Sequence, residues 1–420
     1  MKVIKNEIDL IQESYVEFAK SKGSCFVCFD NLLIDFELTL IDKMLHGKLF
    51  KQPYLSELFS EEYGEAIVDF ELGRRTFDIL DEIDGFHFKN CDFTHKLIFR
   101  NSSSNFKFHC CSFQELYLKD VVLEGKIRFY ESIFEKSFNL ENTTFKNLID
   151  FWKSTFNESI NFYKTDFIKT VVLAGCTFEN NVLFTYTKVA DIAIFRGAYF
   201  KKGLDLSLAL VSGNLNLFDI QIDNKKFESH NEKDEKDYFN MVDNLNEIPL
   251  KNKRETYRII KQYFADNGDD LHAVEFSKYE KETIKEILKY KRRISDDNPN
   301  YNLLNYIRWG MEQLSLWLNN VSNDYRNSYL SGLFFTIIVG LLFFTLSVLS
   351  LPNYCFEWNP FKWSMPEFGK YYMTFMNPTH DVDLFNELTP NGWTYFWQTW
   401  GRIFIGYGIY QTVQAFRKLK

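Results

Sequence analysis

The chain has 420 residues, of which 45% are hydrophobic and 25% charged, a composition typical of folded protein that excludes wholesale disorder. Its net charge of −8 is uneven, because residues 1–85 carry 9 basic and 18 acidic side chains whereas residues 86–222 carry 16 and 14. The sequence has no basic stripe, so we expect no nucleic-acid partner.

Residues 1–85 are predicted to form an acidic N-terminal cap or small domain. Residues 8–18 have a helical pattern and residues 26–34 a strand pattern. A cap is favoured because repeat folds need their open ends covered, and a separate acidic domain stays the alternative. The CxxC at residues 25–28 lacks a second ligand pair nearby and predicts no zinc site.

Residues 86–222 contain an 11-residue repeat with three rows of related side chains. The large apolar residues of the first row are Phe134, Phe145, Phe156, Phe167, Phe178, Val189, Phe200, Val211 and Ile222. Those of the second row are Leu140, Phe151, Phe162, Leu173, Phe184, Phe195, Leu206 and Leu217. The small residues of the third row are Ser132, Thr143, Ser154, Thr165, Cys176, Thr187, Ala198 and Ala209. Alternation at so short a period predicts stacked short strands and hence a β-helix. A β-sandwich is the alternative, but its turns are spaced irregularly.

The pairs Cys91/Phe93, Cys111/Phe113, Ser132/Phe134 and Thr165/Phe167 have a small residue two positions before a Phe. This pairing resembles the pentapeptide-repeat family, although steps of five and six alternate here. The resemblance implies a right-handed quadrilateral β-helix, a solenoid with about 22 residues per coil. Some members of the family mimic DNA through an acidic rod. The near-neutral charge of residues 86–222 disfavours that role.

A charged linker is predicted at residues 223–252 and a helical connector at residues 253–327. The connector begins with an α-helical hairpin. A third helix follows, whose apolar residues recur at spacings of three and four and are Leu303, Ile307, Met311, Leu314, Leu318 and Val321. This stripe predicts either a coiled-coil seam between subunits or packing on the hairpin.

Residues 328–420 are predicted to form a two-helix transmembrane module, with helices at about 329–351 and 393–416 and an outside loop at 352–392. A buried core helix is the alternative for the first helix, and an amphipathic helix lying on the membrane is the alternative for the second. The glycines expected to allow close helix packing are Gly332, Gly340, Gly401 and Gly406, and Gly408 is a further residue assigned to the membrane module.

The second predicted membrane helix also carries polar and interfacial residues. Arg402 is expected to extend toward the membrane surface, or else to contact a pore or a partner. The interfacial belt consists of Trp393, Trp397 and Trp400. The sequence from Gly406 to Gly408 resembles part of a potassium-channel filter. It lies inside the predicted helix, where its carbonyls are consumed by helical hydrogen bonds, so we expect no filter there.

Basic residues flank both membrane helices on the side opposite the loop, which predicts cytoplasmic N- and C-termini. The stretches at residues 254–258, 401–408 and 415–418, together with the two predicted spans, resemble a bacterial group. In that group pentapeptide repeats precede two C-terminal transmembrane helices, and some members are ion-channel-like. The resemblance implies a location in the bacterial inner (plasma) membrane.

The sequence contains no phosphate-binding loop, no Gly-x-Ser-x-Gly and no His-Glu-x-x-His, so we expect neither an enzyme nor a cofactor or metal site. We expect a cytoplasmic solenoid that recognises an unknown cytoplasmic protein or ligand. This solenoid would control a homo-oligomeric module that perturbs the lipid bilayer or conducts ions, with a defence or stress role as one such function. The alternative is a passive membrane-anchored scaffold for protein–protein interaction.

Overall fold

The structure is a computed structural model that describes residues 1–6, 9–10, 13, 26–40, 85–136, 138–223, 235–243, 247–296, 303–352, 364–381 and 390–417. The helix predicted over residues 8–18 falls largely outside the described residues, as does Cys25 of the CxxC. The chain forms two compact units, Met1–Thr256 and Tyr257–Lys420.

The first unit is a β-solenoid of about six turns, which confirms the fold predicted from the 11-residue repeat. Its strands pair in parallel, and from Leu116 onward each paired residue lies beside the one 22 positions further along the chain, as Ile133 does beside Thr155 and Thr144 beside Asp166. In the earlier coils the offset is shorter, as between Phe88 and Phe108. Two 11-residue units therefore make one coil. The parallel pairing excludes the β-sandwich, whose sheets are antiparallel.

The strands are short, and most have two to five residues. In chain order they are β1 (Lys2–Ile4), β2 (Phe26–Asp30), β3 (Leu32–Ile34), β4 (Leu38–Leu40), β5 (Gly85–Lys89), β6 (Asp92–Phe99), β7 (Asn105–His109), β8 (Ser112–Lys119), β9 (Val122–Leu123), β10 (Ile127–Tyr130), β11 (Ile133–Phe134), β12 (Phe138–Glu141), β13 (Thr144–Phe145), β14 (Ile149–Asp150), β15 (Thr155–Phe156), β16 (Ile160–Tyr163), β17 (Asp166–Phe167), β18 (Val171–Val172), β19 (Thr177–Phe178), β20 (Val182–Leu183), β21 (Lys188–Val189), β22 (Ile192–Ile194), β23 (Tyr199–Phe200), β24 (Leu204–Asp205), β25 (Leu210–Val211), β26 (Asn214–Asn216) and β27 (Gln221–Ile222).

The aromatic content of the sequence is explained by ladders of stacked rings inside the solenoid. Phe134 lies on Phe156 with ring centroids 4.5 Å apart, and the stack continues through Phe178 and Phe200 at 4.9 and 4.8 Å. The second row forms a similar stack, with Phe162 on Phe184 at 4.7 Å. Each ring is buried against its equivalents in the neighbouring coils, so the repeat in sequence becomes a continuous core.

Most small residues of the third row are buried beside these rings, and the hydroxyl or thiol groups of several are bonded to the backbone of the preceding coil. Ser154 Oγ donates to the carbonyl of Phe129 at 2.8 Å, and Thr143 Oγ1 donates to that of Leu118 at 2.9 Å. Cys176 Sγ occupies the same place against Phe151. A larger side chain would not fit here, and an apolar one would lose the hydrogen bond to the carbonyl.

The corners that immediately precede the small residues adopt the left-handed backbone conformation. These residues recur every 11 positions except at position 208, and they are Asp120, Glu131, Asn142, Lys153, Lys164, Gly175, Tyr186, Gly197 and Asp219. Only two of these nine are glycines, although the conformation strains residues that have a Cβ. Hydrogen bonds between coils hold these strained conformations in place, since most corner amides donate to the next coil, as Glu131 N does to the carbonyl of Trp152 at 3.0 Å.

The parallel ladder begins within the first 85 residues, in the segment for which a cap or separate domain was predicted. Strand β2 pairs with β5 from Phe26 beside Gly85 to Asp30 beside Lys89, and β3 and β4 pair with β6. Strand β1 adds to β3. Residues 26–40 are thus a coil of the solenoid, and residues 41–84, which lie outside the described residues, are inserted between it and the next coil.

Beyond the last coil, the predicted linker contains helix α1 (Glu235–Asp243), and helix α2 (Leu250–Asp266) follows. The side chains of α2 close the end of the solenoid: Asn252 Nδ2 donates to the carboxylate of Asp205 at 2.9 Å, and Thr256 Oγ1 accepts from the amide of Leu206 at 3.0 Å. Tyr238 of α1 donates to Asn252 Oδ1 at 3.0 Å. Helix α2 therefore provides hydrogen-bond partners for polar groups of the last coil that would otherwise be bonded to water.

The second unit is helical, and it consists of the end of α2 followed by α3 (Asp270–Asp296), α4 (Leu303–Asn323), α5 (Tyr329–Leu349), α6 (Met365–Phe375) and α7 (Gly392–Phe416). In the predicted hairpin, Phe264 of α2 stacks on Phe276 of α3 with centroids 5.7 Å apart. Among the described residues, α5 is the one helix long and apolar enough to cross a membrane. The helix predicted near residues 393–416 is present as α7, and its crossing of a membrane stays a prediction.

Candidate membrane site

Helices α5 and α7 pack closely because small residues line the contact between them. The buried residues of α5 recur every three or four positions and are Gly332, Thr336, Gly340, Phe344 and Ser347. A Cβ on Gly332 would lie 2.7 Å from Thr412 Oγ1, and one on Gly408 would overlap Thr336 Oγ1. Gly332 and Gly408 therefore lie at the contact between α5 and α7.

Gly406 is placed differently from Gly332, Gly340, Gly401 and Gly408. A Cβ there would meet nothing within 4 Å, whereas Gly408 two residues later lies against α5. The sequence grouped both glycines in the membrane module and could not distinguish them. The carbonyl of Gly408 accepts a hydrogen bond from Thr412 Oγ1 at 2.9 Å, so it faces its own helix.

Gly340 and Gly401 form two notches that receive the end of α6. A Cβ on Gly340 would overlap Met376 Sδ, the residue just after α6, and one on Gly401 would lie 2.7 Å from Cζ of Phe375. Phe375 is fully buried, with its ring 5.6 Å from that of Phe344 of α5. The last turn of α6 is therefore held between α5 and α7.

The contact of α6 lies beside the middle of α5 rather than beyond its end. Tyr372 of α6 donates its hydroxyl hydrogen bond to the carbonyl of Ile337 at 2.8 Å. Ile337 lies eight residues into α5, about 12 Å from its start in a helix of about 31 Å. The sequence predicted that all of residues 352–392 form a loop outside the membrane helices. In the structure residues 372–376 lie alongside α5, and the position of this segment relative to a membrane stays a prediction.

A tight turn at residues 377–380 follows α6. The amide of His380 donates to the carbonyl of Asn377 at 3.1 Å, and Thr379 N donates to Asn377 Oδ1 at 3.1 Å. Arg402 of α7 donates from its guanidinium to the carbonyl of His380. Arg402 thus contacts the turn that follows α6, and its expected extension toward a membrane surface stays a prediction.

Several buried polar atoms around this turn have no hydrogen-bond partner among the described residues. They are Nε2 of His380, Nε of Arg402 and both side-chain polar atoms of Gln398. Gln398 is 1% exposed and lies one helical turn before Arg402. Unsatisfied buried polar groups of this kind usually have water, an ion or another chain as a partner.

The predicted tryptophan belt lies near the start of α7 and is divided between two environments. Trp393 and Trp400 are exposed, at 65% and 41%. Trp397 is half-buried and lies 6.3 Å from the ring of Phe343 of α5. Trp393 and Trp400 are therefore available for the predicted contact with a membrane surface, whereas Trp397 contributes to the packing of α5 on α7.

At the other end of α7, two asparagines of α4 hold the helix. Asn323 Nδ2 donates to the carbonyl of Gln411 at 3.1 Å and to its side-chain oxygen. Gln411 Nε2 donates to Asn319 Oδ1 at 3.3 Å. Four residues of the predicted apolar stripe of α4 are exposed at 44% or more, namely Ile307, Met311, Leu314 and Val321, whereas Leu318 is partly buried.

The packing of α6 between α5 and α7 was not predicted from the sequence, which carries no filter motif between the two long helices. The close spacing of Pro366 and Gly369 within residues 364–376 obscured a helix of 11 residues. Comparison of the chain with protein-family models, with curated proteins and with solved structures found no match.

Proposed function

We propose that this chain is a non-enzymatic membrane protein in which α5 and α7 both span the bilayer and α6 re-enters it. The Tyr372–Ile337 hydrogen bond carries the proposal, because it holds the end of α6 beside the middle of an apolar helix. Non-helical backbone at that depth is tolerated where it is buried in protein or lines a water-filled cavity. The turn at residues 377–381 is such backbone.

Several chains together surround this turn and form an ion-conducting path. The unpartnered polar atoms of His380, Gln398 and Arg402 support it, since water or a neighbouring subunit would supply their missing hydrogen bonds. The exposed apolar stripe of α4 offers a contact between subunits of a homo-oligomer. The protein resides in the bacterial inner membrane with both termini in the cytoplasm.

The solenoid is the cytoplasmic part that recognises a protein or ligand and controls the membrane module. Four strands per coil and a 22-residue register support a right-handed, four-sided β-helix like that of pentapeptide-repeat proteins. Such a solenoid offers an extended surface to a partner. A defence or stress response would use this arrangement.

The test is ion flux into liposomes that contain the purified full chain, with the mass of the detergent-solubilised oligomer measured in parallel. Gly340→Leu fills the notch for Met376 and should abolish flux while the oligomer persists. Gly369→Leu is the matched control, because a Cβ at Gly369 meets nothing within 4 Å, and it should conduct like the unaltered chain.

A monomeric chain, or an oligomer without flux, would contradict the channel proposal. An intact oligomer that conducts nothing but still localises a cytoplasmic partner at the membrane would favour the passive scaffold. Equal flux from Gly340→Leu and Gly369→Leu would show that the docked end of α6 does not form the path.

A further inference from the structure

Three side chains with different metal-binding atoms meet on the outside of the solenoid. His109 ends strand β7, Cys110 follows it at the corner, and Glu131 occupies the equivalent corner of the next coil. Nε2 of His109 lies 3.6 Å from Oε2 of Glu131, and Sγ of Cys110 lies 3.7 Å from the same oxygen. All three donor atoms lie within 4.8 Å of one another.

We propose that His109, Cys110 and Glu131 bind a zinc ion. Zinc in proteins takes nitrogen and oxygen ligands at about 2.0 Å and thiolate at about 2.3 Å in a tetrahedron, which places neighbouring donor atoms roughly 3.3–3.6 Å apart. The observed separations from Glu131 exceed these by only a few tenths of an ångström. Small side-chain rotations would close the site around the ion.

The backbone holds the three residues in place. Cys110 N donates to the carbonyl of Tyr130 at 2.9 Å, directly before Glu131, so the two corners are fixed one above the other. Cys110 and Glu131 both have left-handed φ angles, of 53° and 50°. The other corners share this conformation, so the side chains of Cys110 and Glu131 leave the backbone at equivalent points of neighbouring coils.

Cys110 differs from the cysteines that belong to the solenoid core. Cys91, Cys111 and Cys176 are buried, and their thiols contact backbone carbonyls, whereas Cys110 is exposed. Lys153 Nζ lies 3.9 Å from Oε1 of Glu131 and leaves Oε2 to the metal. Three protein ligands leave the fourth position to water, as in other zinc sites that are not closed.

The experiment titrates the full chain in detergent, after removal of metal by a chelator, with Co²⁺ and then Zn²⁺. We expect one equivalent of Co²⁺ to give thiolate charge-transfer and tetrahedral d–d absorption bands, and Zn²⁺ to displace it. Cys110→Gly, which suits the left-handed backbone, should remove the charge-transfer band. Glu131→Gln should weaken binding by at least about tenfold.

Cys28→Ala is the matched control, because Cys28 is also exposed and its Sγ lies 3.9 Å from Nδ1 of His87. It should bind cobalt like the unaltered chain. Failure of the unaltered chain to show the thiolate band at one equivalent would overturn the proposal, and so would loss of the band in Cys28→Ala but not in Cys110→Gly. Unchanged far-ultraviolet circular dichroism of the variants would show that they remain folded.

Discussion

At the scale of single residues, the solenoid corners combine a repeated backbone conformation with side chains that do not favour it. Lys164 has a φ of 50° and an exposed side chain. A left-handed residue with a Cβ costs roughly 1–2 kcal/mol, whereas glycine in ordinary conformations costs roughly 0.5–1 kcal/mol. A substitution by glycine should therefore raise the free energy of unfolding at a corner and lower it at an exposed position outside the corners.

We expect Lys164→Gly to raise the free energy of unfolding of the solenoid by about 0.5–1 kcal/mol. Lys169→Gly, at an exposed position outside the corner, should lower it by a similar amount. Urea unfolding of the full chain in detergent measures both. A loss of stability in Lys164→Gly equal to that in Lys169→Gly would contradict the strain argument.

Asp150 is a carboxylate at 9% exposure, where Oδ1 accepts from the amide of Trp152 at 3.0 Å. Burial raises the pKa of Asp150 in the folded chain, although the amide of Trp152, the Tyr130 hydroxyl and Arg128 oppose the shift. Because the folded pKa exceeds the unfolded one, this group lowers stability as pH rises through the two values. The loss of stability is complete at pH values above the folded pKa.

Asp150→Asn keeps an acceptor for Trp152 and removes the charge, so it should raise the midpoint of thermal unfolding by a few degrees at pH 7. The gain should disappear below pH of about 3.9, the ordinary pKa of aspartate. Thermal unfolding between pH 3 and 8 measures it. Asp191→Asn, at an exposed position, is the control, and an equal gain there would exclude burial as the cause.

At the scale of helices, α5 and α7 depend on contacts that only small residues allow. Gly408 lies against Thr336, whereas Gly406 has open space around the position of a Cβ. Close approach of two helices in an apolar solvent is stabilised by packing and by weak hydrogen bonds rather than by the exclusion of water. Substitutions at Gly408 and Gly406 therefore distinguish the effect of packing between the helices from the effect of replacing a glycine within a helix.

Gly408→Leu should separate α5 from α7 and lower the temperature at which the detergent-solubilised chain aggregates or loses its oligomeric mass. Gly406→Leu should change either value little, and the better helix propensity of leucine favours a slight gain. Equal losses in the two variants would place the helix contact elsewhere. Size-exclusion chromatography after heating measures both.

At the scale of the whole molecule, the two units should unfold separately. The solenoid is stabilised by buried aromatic stacks that urea weakens, whereas the apolar surfaces of α5 and α7 remain covered by detergent. Trp152 is the one tryptophan among residues 1–256, so the fluorescence difference between the unaltered chain and Trp152→Phe reports on the solenoid.

We expect this fluorescence difference to be lost at a lower urea concentration than the helical circular dichroism signal at 222 nm. Coincident transitions by the two probes would show a single cooperative unit instead. The control is Trp393→Phe, which should leave the fluorescence change of the solenoid transition intact.

The solenoid could be predicted from the sequence because its core is periodic: from Phe134 onward, inward rings stack on equivalent rings 22 residues away, as Phe134 does on Phe156. The corners could not, since residues as different as Glu131, Lys164 and Tyr186 share one backbone conformation. The coil at residues 26–40 escaped detection because a long insertion separates it from its neighbour.

The membrane site was predicted only in part. The length and apolarity of α5 follow from local sequence, and so do the small residues Gly332 and Gly408. The docking of α6 depends on notches at Gly340 and Gly401 that distant segments fill, and local periodicity carries no signal for such tertiary contacts. The His109–Glu131 contact joins residues of different coils, so it lies outside any short motif.

The 22-residue register also means that the solenoid can change length only in fixed steps. Deletion of one coil, such as residues 144–165, would leave every later strand on the same sheet and shift the terminal helix α2 by about 4.8 Å along the stack. Deletion of 11 residues would preserve the inward pattern but transfer each later strand to a different sheet. Natural variation in such a chain should therefore add or remove whole coils, so that the direction in which α2 leaves the stack is conserved while its height changes.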